Sequence, residues 1–174
     1  MTAKIVWLTG LSGSGKSTIL KRLYKILKNR KLKVKKIDGD FFRLKNKNKN
    51  SFTKSNIIKN NTSVIKYIIK IKKDYDIIIV ALISPLQKIR KFAKKTFNKN
   101  YYEIHVHCSI NTLKKRDTKS LYYKADKGLI DNLIGYNSHI TYQKSLYSVV
   151  NINTDIYSVS ESVRAICKKI FYEI

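Results

Sequence analysis

Apolar and polar positions follow two periods along this chain, and together they predict five strands and five helices. Short apolar runs predict strands at Ile5–Thr9, Val34–Asp38, Asp76–Ile83, Tyr102–Cys108 and Val149–Asn153. Apolar residues three and four positions apart predict helices at about 16–29, about 56–72, about 86–98, about 110–116 and about 158–171. Strands that alternate with helices indicate an α/β fold, with three α/β/α layers around a mostly parallel central sheet.

The same pattern bounds the domain and the compartment. The run Ile77–Ile83 is apolar on both faces, as in a strand covered on both sides, and its 7 residues are too few to cross a bilayer. The chain of 174 residues has no interdomain linker, so we expect one domain over residues 1–174. It starts directly with a strand and its two cysteines, Cys108 and Cys167, lie in apolar patterns, which predicts a cytoplasmic protein without a membrane partner.

Two lysine-rich segments have plain structural interpretations. Lys45–Asn50 alternates lysine with asparagine and is typical of a solvated loop. Lys88–Lys99 is interpreted as an amphipathic helix with solvated lysines, and a membrane-surface role is the weaker alternative. The side chains predicted to point inward from this helix are Ile89, Phe92, Ala93 and Phe97.

The net charge of +26 would by itself suggest a nucleic-acid partner. Lysine supplies 31 of the basic residues and arginine only 6, whereas phosphate-reading proteins favour the bidentate fork of arginine. Lysine, asparagine and isoleucine, which A/T-rich codons encode, are all abundant. Coding bias therefore accounts for the excess of lysine. We therefore expect no nucleic-acid partner, but a positive field that attracts nucleotides and makes their binding salt-sensitive.

A glycine-rich segment joins the first strand to the first helix. Gly10–Ser17 fits the pattern G-x-x-x-x-G-K-[ST] without a mismatch. In such a P-loop, backbone N–H groups hold phosphate oxygens, Lys16 reaches the β- and γ-phosphates, and the Ser17 hydroxyl holds Mg²⁺. The sequence predicts nucleoside triphosphate binding by Gly10, Leu11, Ser12, Gly13, Ser14, Gly15, Lys16, Ser17 and Thr18.

Acidic groups follow the second strand. Asp38 and Asp40 flank a glycine, and Arg43 comes shortly after them. Two carboxylates and a guanidinium near the phosphates suit Mg²⁺, a hydroxyl acceptor and an anionic second substrate, although a surface turn explains them equally well.

Two further segments favour a kinase over other P-loop proteins. The third strand ends in Ile83-Ser84-Pro85, without the metal-binding aspartate that motors and GTPases often carry there, which leaves the metal to Ser17 and the Asp38/Asp40 pair. The basic and aromatic segment Arg116–Ala125 is typical of a lid that closes over the phosphates and excludes water. We expect this lid over about 116–136.

In their order, these motifs resemble the adenylylsulfate kinase family of P-loop nucleotide kinases. The family's GLSGSGKST loop, DGD-x-x-R motif, I-S-P strand end, R-D-x-K-x-L-Y-x-K-A lid and T-D element match residues 10–18, 38–43, 83–85, 116–125 and 154–155. The resemblance implies that ATP, with Mg²⁺, gives its γ-phosphoryl group to the 3′-hydroxyl of adenosine 5′-phosphosulfate.

The resemblance also implies roles for single residues. Asp40 would orient or deprotonate the acceptor hydroxyl, and Arg43 would meet the acceptor's 5′ anion. Arg116 and Thr154 would flank the adenine of ATP. Ser84 would be either a phosphoserine intermediate or a hydroxyl that contacts an anion. The implied catalytic set is Lys16, Asp40 and Ser84, and the implied acceptor contacts are Asp40, Arg43, Phe52, Asn60, Ile83, Ser84, Leu121, Lys124 and Leu133.

Departures from the family concentrate on the acceptor side. Three family arginines are replaced by Ile57, Thr62 and Ser63, and the phenylalanine that packs on the acceptor base is replaced by Leu133. One lost charge-assisted hydrogen bond would weaken binding by about tenfold or more. Two acceptors therefore stay open, adenylylsulfate or another nucleotide 3′-hydroxyl such as that of cytidine diphosphoramidate. A partner-stimulated ATPase or GTPase is a more distant alternative.

The remaining signals are weaker. His105 and His107 share one side of a predicted strand, and we expect structural roles because a metal site would need further ligands. The tyrosines that are candidates for the cleft wall are Tyr122, Tyr123, Tyr136, Tyr142 and Tyr147. A homodimer is expected only because related kinases often form one.

Overall fold

A parallel β-sheet carries the fold of the computed structural model, which describes residues 2–40, 42 and 53–171. The strands are β1 (Lys4–Thr9), β2 (Val34–Asp38), β3 (Ile77–Leu82), β4 (Tyr101–His107) and β5 (Ser148–Asn153). The helices are α1 (Lys16–Asn29), α2 (Lys54–Ile71), α3 (Gln87–Phe97), α4 (Ile110–Arg116), α5 (Leu121–Asp126) and α6 (Val159–Phe171).

The strands lie in the order β2-β3-β1-β4-β5, and every neighbouring pair is parallel. β1 is therefore the central strand. Each residue of β3 is buried, as its unbroken apolar run predicts for a strand covered on both faces. Because all strands run the same way, the loops that follow them meet at one edge of the sheet, which is where a ligand binds in this architecture.

Helices cover both faces of the sheet. One hydrophobic cluster packs α2 and α3 against Trp7, Ile78 and Val80, and the other packs α1 and α6 against Val6, Leu8 and Ile104. Trp7, at the centre, is fully buried. This arrangement is the predicted three-layer α/β/α fold. Among the described residues, no helix is both long enough and apolar enough to cross a membrane.

The predicted elements are found with small shifts at their ends. α1, β2 and α4 have the predicted bounds, and the other predicted strands and helices differ by one or two residues at their ends. Helix α5 is an addition, because its six residues are too few to produce a periodic pattern. The lysine–asparagine segment 45–50 lies outside the described residues.

Helix α3 corrects one prediction. Ile89, Ala93 and Phe97 are buried as expected, but Phe92 is 46 % exposed. Arg90, which is not among the side chains predicted to point inward, is fully buried. A guanidinium enters the core here because buried acceptors surround it, and the sequence pattern contains no sign of them.

Candidate active site

The P-loop forms the floor of the site, between β1 and α1. Gly10 must lack a side chain, because a Cβ there would lie 1.9 Å from the carbonyl oxygen of Val106. Gly15 precedes α1 with a φ of 98°, in the left-handed region. Since Gly15 has no side chain to cap the helix, the first N–H groups of α1 stay available to an anion.

Lys16 is folded back onto this loop. Its Nζ donates to the Leu11 carbonyl at 2.6 Å and to Ser14 Oγ at 3.4 Å. Burial lowers the pKa of Lys16 from 10.5 to about 8, and the nearby Asp40 partly opposes that shift. Its ammonium group is therefore a cation in a poorly solvated position, where attraction to a phosphate is strong.

Ser17 and Asp38 form a pair of oxygen ligands at the end of β2. The Ser17 hydroxyl donates to Asp38 Oδ2 at 2.7 Å, and the Asp40 N–H donates to Asp38 Oδ1 at 3.1 Å. Hydroxyl and carboxylate oxygens are the donors that Mg²⁺ takes, together with water and phosphate oxygens. These two side chains therefore fit the metal that a P-loop kinase needs.

Asp40 lies across from the P-loop and meets the lid. Its carboxylate forms an ion pair with Lys119, and both side chains are about half exposed. The lid lysine thereby joins Lys16 as a second cation near the same carboxylate. Lys119 is the lysine in the R-D-x-K part of the lid motif, and the motif alone does not predict this contact.

A cavity of about 710 Å³ connects these groups. It is bounded by the P-loop, the ends of β2 and β3, the start of the lid and the start of α6. The predicted site residues that line it are Ser12, Gly13, Gly15, Lys16, Ser17, Thr18, Asp38, Asp40, Ile83, Arg116 and Thr154.

The far end of the cavity suits a nucleobase. Arg116 donates from Nη1 to Thr154 Oγ1 at 2.9 Å and from Nη2 to the Thr154 carbonyl at 2.7 Å. Thr154 in turn donates to the Ser14 carbonyl at 3.1 Å, which ties this end to the P-loop. Ile156, at 73 % exposure, and Tyr157 supply apolar surface beside the guanidinium.

Ser84 has a different position from the predicted one. It is fully buried, accepts from Trp7 Nε1 at 3.1 Å and donates to Asn61 Oδ1 at 2.6 Å. Its hydroxyl is thus used inside the protein and does not line the cavity, so this arrangement gives it no access to a phosphate. Pro85 and the buried Arg90, which donates to the Ser84 carbonyl, keep the chain in this path.

The other predicted acceptor contacts are spread over the lid and α2. Leu133 does not cover an open pocket, because it is buried in a small lid cluster with Leu113 and Tyr122. Leu121 is partly buried and Lys124 is exposed on α5. Asn60 is buried, and its Oδ1 has no hydrogen-bond partner. Arg43 and Phe52 lie outside the described residues.

A buried ion pair between Arg90 and Glu103 joins α3 to β4, and the sequence pattern does not predict it. Arg90 Nε lies 3.2 Å from Glu103 Oε1, and neither side chain is exposed to solvent. Arg90 also donates to the carbonyls of Gln143 and Lys144 at 2.7 and 3.1 Å. It thereby fixes the segment that follows the lid. The one sequence feature that could have indicated this ion pair is the single arginine in a helix otherwise rich in lysine.

The two histidines have structural contacts. The rings of His105 and His107 stack with centroids 5.0 Å apart, and Tyr142 stacks on His105 at 5.1 Å. Burial lowers the pKa of His105 to about 4, so it is neutral at ordinary pH. Within the described part of the chain, no group of three acidic, histidine or cysteine side chains could hold a metal.

The chain is similar to known kinases over most of its length. The sequence profile of the adenylylsulphate kinase family matches residues 2–152. A probable adenylyl-sulfate kinase of Archaeoglobus fulgidus is 32 % identical over 87 % of this chain and 96 % of its own length. An adenylyl-sulfate kinase of Oceanobacillus iheyensis is 35 % identical over 93 % of this chain and 81 % of its own length.

Two further similarities bear on the substrates. A cytidine diphosphoramidate kinase of Campylobacter jejuni is 34 % identical over 95 % of each chain. The APS kinase of Mycobacterium tuberculosis, solved with AMPPNP and APS, superposes with a TM-score of 0.88 at 26 % identity, over 97 % of this chain and 98 % of its own.

Proposed function

This chain belongs to the adenylylsulphate kinase family of ATP-dependent kinases, and on that premise we propose that it phosphorylates the 3′-hydroxyl of adenosine 5′-phosphosulfate. The observation that carries the proposal is one cavity in which the P-loop with Lys16, the Ser17–Asp38 pair and Asp40 face one another. Such a cavity provides a phosphate cradle, metal ligands and a base for a hydroxyl.

In this proposal the acceptor's 3′ oxygen attacks the γ-phosphorus of ATP in line with the bond to the departing ADP. The 3′-oxygen-to-phosphorus bond forms, the bond between the γ-phosphorus and the bridging oxygen breaks, and Asp40 takes the hydroxyl proton. Lys16 and Lys119 stabilise the charge on the transferring group. Mg²⁺ on Ser17 and Asp38 would neutralise further charge on the β- and γ-oxygens.

We assign the nucleoside of ATP to the end of the cavity between Arg116 and Ile156. The bidentate contact of Arg116 with Thr154 holds the guanidinium plane in one orientation, so that it can cover one face of a base. Ser84 is assigned a positioning role at the end of β3, which its buried hydroxyl, bonded to Trp7 and Asn61, supports better than a covalent role.

A second acceptor, cytidine diphosphoramidate, is supported by the relative from Campylobacter jejuni and by α2. Ile57, Thr62 and Ser63 lie on α2 where the family pattern has arginines, and the Ser63 hydroxyl donates to the Lys59 carbonyl of its own helix. A smaller base with a less charged 5′ group would need fewer of those cations.

The test compares initial rates with Mg·ATP and each of the two acceptors, following the 3′-phosphorylated product by mass. We expect a kcat/KM for adenylylsulfate of about 10⁴ M⁻¹s⁻¹ or more, in the usual enzymatic range. The Lys16→Ala variant is the matched inactive control, because it removes the γ-phosphate contact.

Each outcome decides between the candidates. Turnover of the cytidine compound with a negligible adenylylsulfate rate would replace the proposed acceptor by the second one. Turnover of neither would leave an ATP-binding kinase fold whose acceptor assignment is wrong.

A further inference from the structure

A third hydrophobic cluster joins the lid to the P-loop. Its buried members are Leu113, Tyr122 and Leu133, and Leu11 of the P-loop packs against them. Gly135 comes so close to this loop that a Cβ on it would lie 2.6 Å from Leu11 Cδ2. The lid and the phosphate loop therefore share one small core, separate from the two large ones.

Tyr122 makes the polar contact of this cluster. Its hydroxyl donates to the carbonyl oxygen of Ser12 at 2.9 Å, and both groups are buried. Burial raises the pKa of Tyr122 well above its ordinary value, so the hydroxyl keeps its proton and remains a donor. The lid thus holds one P-loop carbonyl by a side chain more than a hundred residues away in sequence.

That carbonyl determines the direction of the next N–H group. The Ser12 carbonyl and the Gly13 N–H belong to one trans peptide plane and point in opposite directions. With the carbonyl held toward the lid, the Gly13 N–H is turned away from the lid, and Gly13 itself lines the cavity. Gly13 has a φ of 79°, in the left-handed region. Because glycine has no side chain, the Ser12–Gly13 peptide could rotate if no hydrogen bond held it.

Tyr122 is itself fixed from the lid side. Its ring packs edge-on against Tyr136 with centroids 5.4 Å apart, and its N–H donates to the Asp117 carboxylate at 3.2 Å. Tyr136 is held in turn by contacts of its hydroxyl with Asp126 and Lys114. The hydroxyl of Tyr122 therefore has a fixed position from which to hold the loop.

We propose that Tyr122 is a positioning residue for the nucleotide: its hydroxyl orients the Ser12–Gly13 peptide so that the Gly13 N–H serves the phosphates. The inference rests on the proposed function only in taking the cavity as a nucleoside triphosphate site, and it is the same for either acceptor. Tyr122 touches no substrate in this account. It acts through the loop.

The test is Tyr122→Phe, which keeps the ring and removes the donor. Its Kd for Mg·AMPPNP, measured by calorimetry well below its melting temperature, is expected to rise about threefold to tenfold, as for one lost hydrogen bond. Hydrogen exchange of the peptide that covers residues 10–18 is expected to become faster. The matched control is Tyr123→Phe, since Tyr123 is 59 % exposed on the same helix.

A purely structural role would give a different result. Tyr122→Phe would then melt earlier but, while folded, would bind Mg·AMPPNP and exchange residues 10–18 like the Tyr123→Phe control, which would overturn the inference. Hydrogen exchange is measured without substrate, so it tests the role of Tyr122 even if neither acceptor is phosphorylated. Failure to phosphorylate either acceptor would count against the proposed function and not against this inference.

Discussion

Lys16 is a cation that the fold holds in a poorly solvated position. Burial lowers its pKa to about 8, while a bound phosphate would favour the protonated form. The ammonium group of Lys16 therefore begins to lose its proton near pH 8 in the folded, nucleotide-free protein. In the unfolded chain, where the lysine pKa is 10.5, it would still be protonated at that pH. Nucleotide binding above that pH must restore the proton.

We therefore predict that affinity for Mg·AMPPNP falls as pH rises through about 8, approaching tenfold per pH unit above it. Calorimetry at about pH 8.5 in two buffers of different ionisation enthalpy should detect proton uptake on binding. Equal binding enthalpies in the two buffers would contradict the prediction. Lys16→Met, which has no titrating group at this position, is the control for the pH effect.

Asp40 is the group proposed to take the proton of the acceptor hydroxyl. Asp40→Asn keeps the shape but cannot take the acceptor's proton, so kcat should fall by about 10²- to 10⁴-fold. The Kd for Mg·AMPPNP should stay within about twofold, because the P-loop contacts are unchanged. Rapid-quench turnover and calorimetry measure the two effects, with Asp74→Asn on the exposed surface as control. A variant near the wild-type rate would remove Asp40 from the mechanism.

Helix α5 depends on one carboxylate for its start. Asp117 accepts the N–H groups of Leu121, Tyr122 and Tyr123, at 2.8, 3.2 and 2.8 Å. A helix of six residues is too short to be stable on its own propensity, so these bonds and the packing of Tyr122 hold it. Helix α5 therefore depends on a local carboxylate cap and on the packing of Tyr122 against the P-loop.

Asp117→Ala should loosen the lid more than it destabilises the protein. We expect faster hydrogen exchange over residues 117–126 and a severalfold lower kcat/KM, with a loss of stability of about 1–2 kcal/mol, as for a lost helix cap. Asp131→Ala, at an exposed position of the same lid, is the control. Unchanged exchange over α5 would mean that Asp117 does not start this helix.

The Arg90–Glu103 pair connects α3, β4 and the segment after the lid. Glu103 also accepts the hydroxyl of Tyr101 at 2.9 Å and is contacted by Ser145. Removing the guanidinium would leave a buried carboxylate without its cation, which costs far more than an exposed charge does.

Arg90→Met should lower the free energy of unfolding by about 3–5 kcal/mol, as measured in urea. The double variant Arg90→Met with Glu103→Gln should recover part of this loss, because no uncompensated charge remains. Arg22→Met, on the exposed side of α1, should change stability by less than about 0.5 kcal/mol. A single variant as stable as this control would show that the pair contributes little.

The whole molecule is strongly positive. The net charge is +26, and the described residues form three ion pairs. Most of the basic side chains therefore contribute to a positive electrostatic potential around the protein. The cationic side chains Lys16, Lys119 and Arg116 line the cavity, so this field acts where an anionic nucleotide would bind. The homodimer and the cytoplasmic location stay predictions.

The KM for ATP should therefore rise severalfold between about 0.05 and about 0.5 M salt, while kcat changes little, because screening weakens encounter and binding of the anion. Steady-state rates in sodium chloride and potassium chloride separate screening from a specific ion effect. A KM independent of both salts would mean that the field does not contribute to binding.

The amino-acid sequence alone predicted the α/β order, the strands, the long helices and the P-loop with Lys16 and Ser17. It could do so because periodic burial and a glycine-lysine loop are local properties, carried by residues a few positions apart. The basic and aromatic segment Arg116–Ala125 predicted the lid, and the family resemblance added the acceptor and the roles of single residues. The pairing of Ser17 with Asp38 is compatible with the metal role predicted for both.

The folded structure was needed to establish the contacts between distant segments. It buried Ser84 against Trp7 and Asn61, Leu133 in the lid cluster and Arg90 against Glu103, and it brought Lys119 to Asp40 and Tyr122 to Ser12. These outcomes depend on which side chains meet across the sheet edge. Residues far apart in sequence find their partners only when the chain is packed, so no local pattern could contain them.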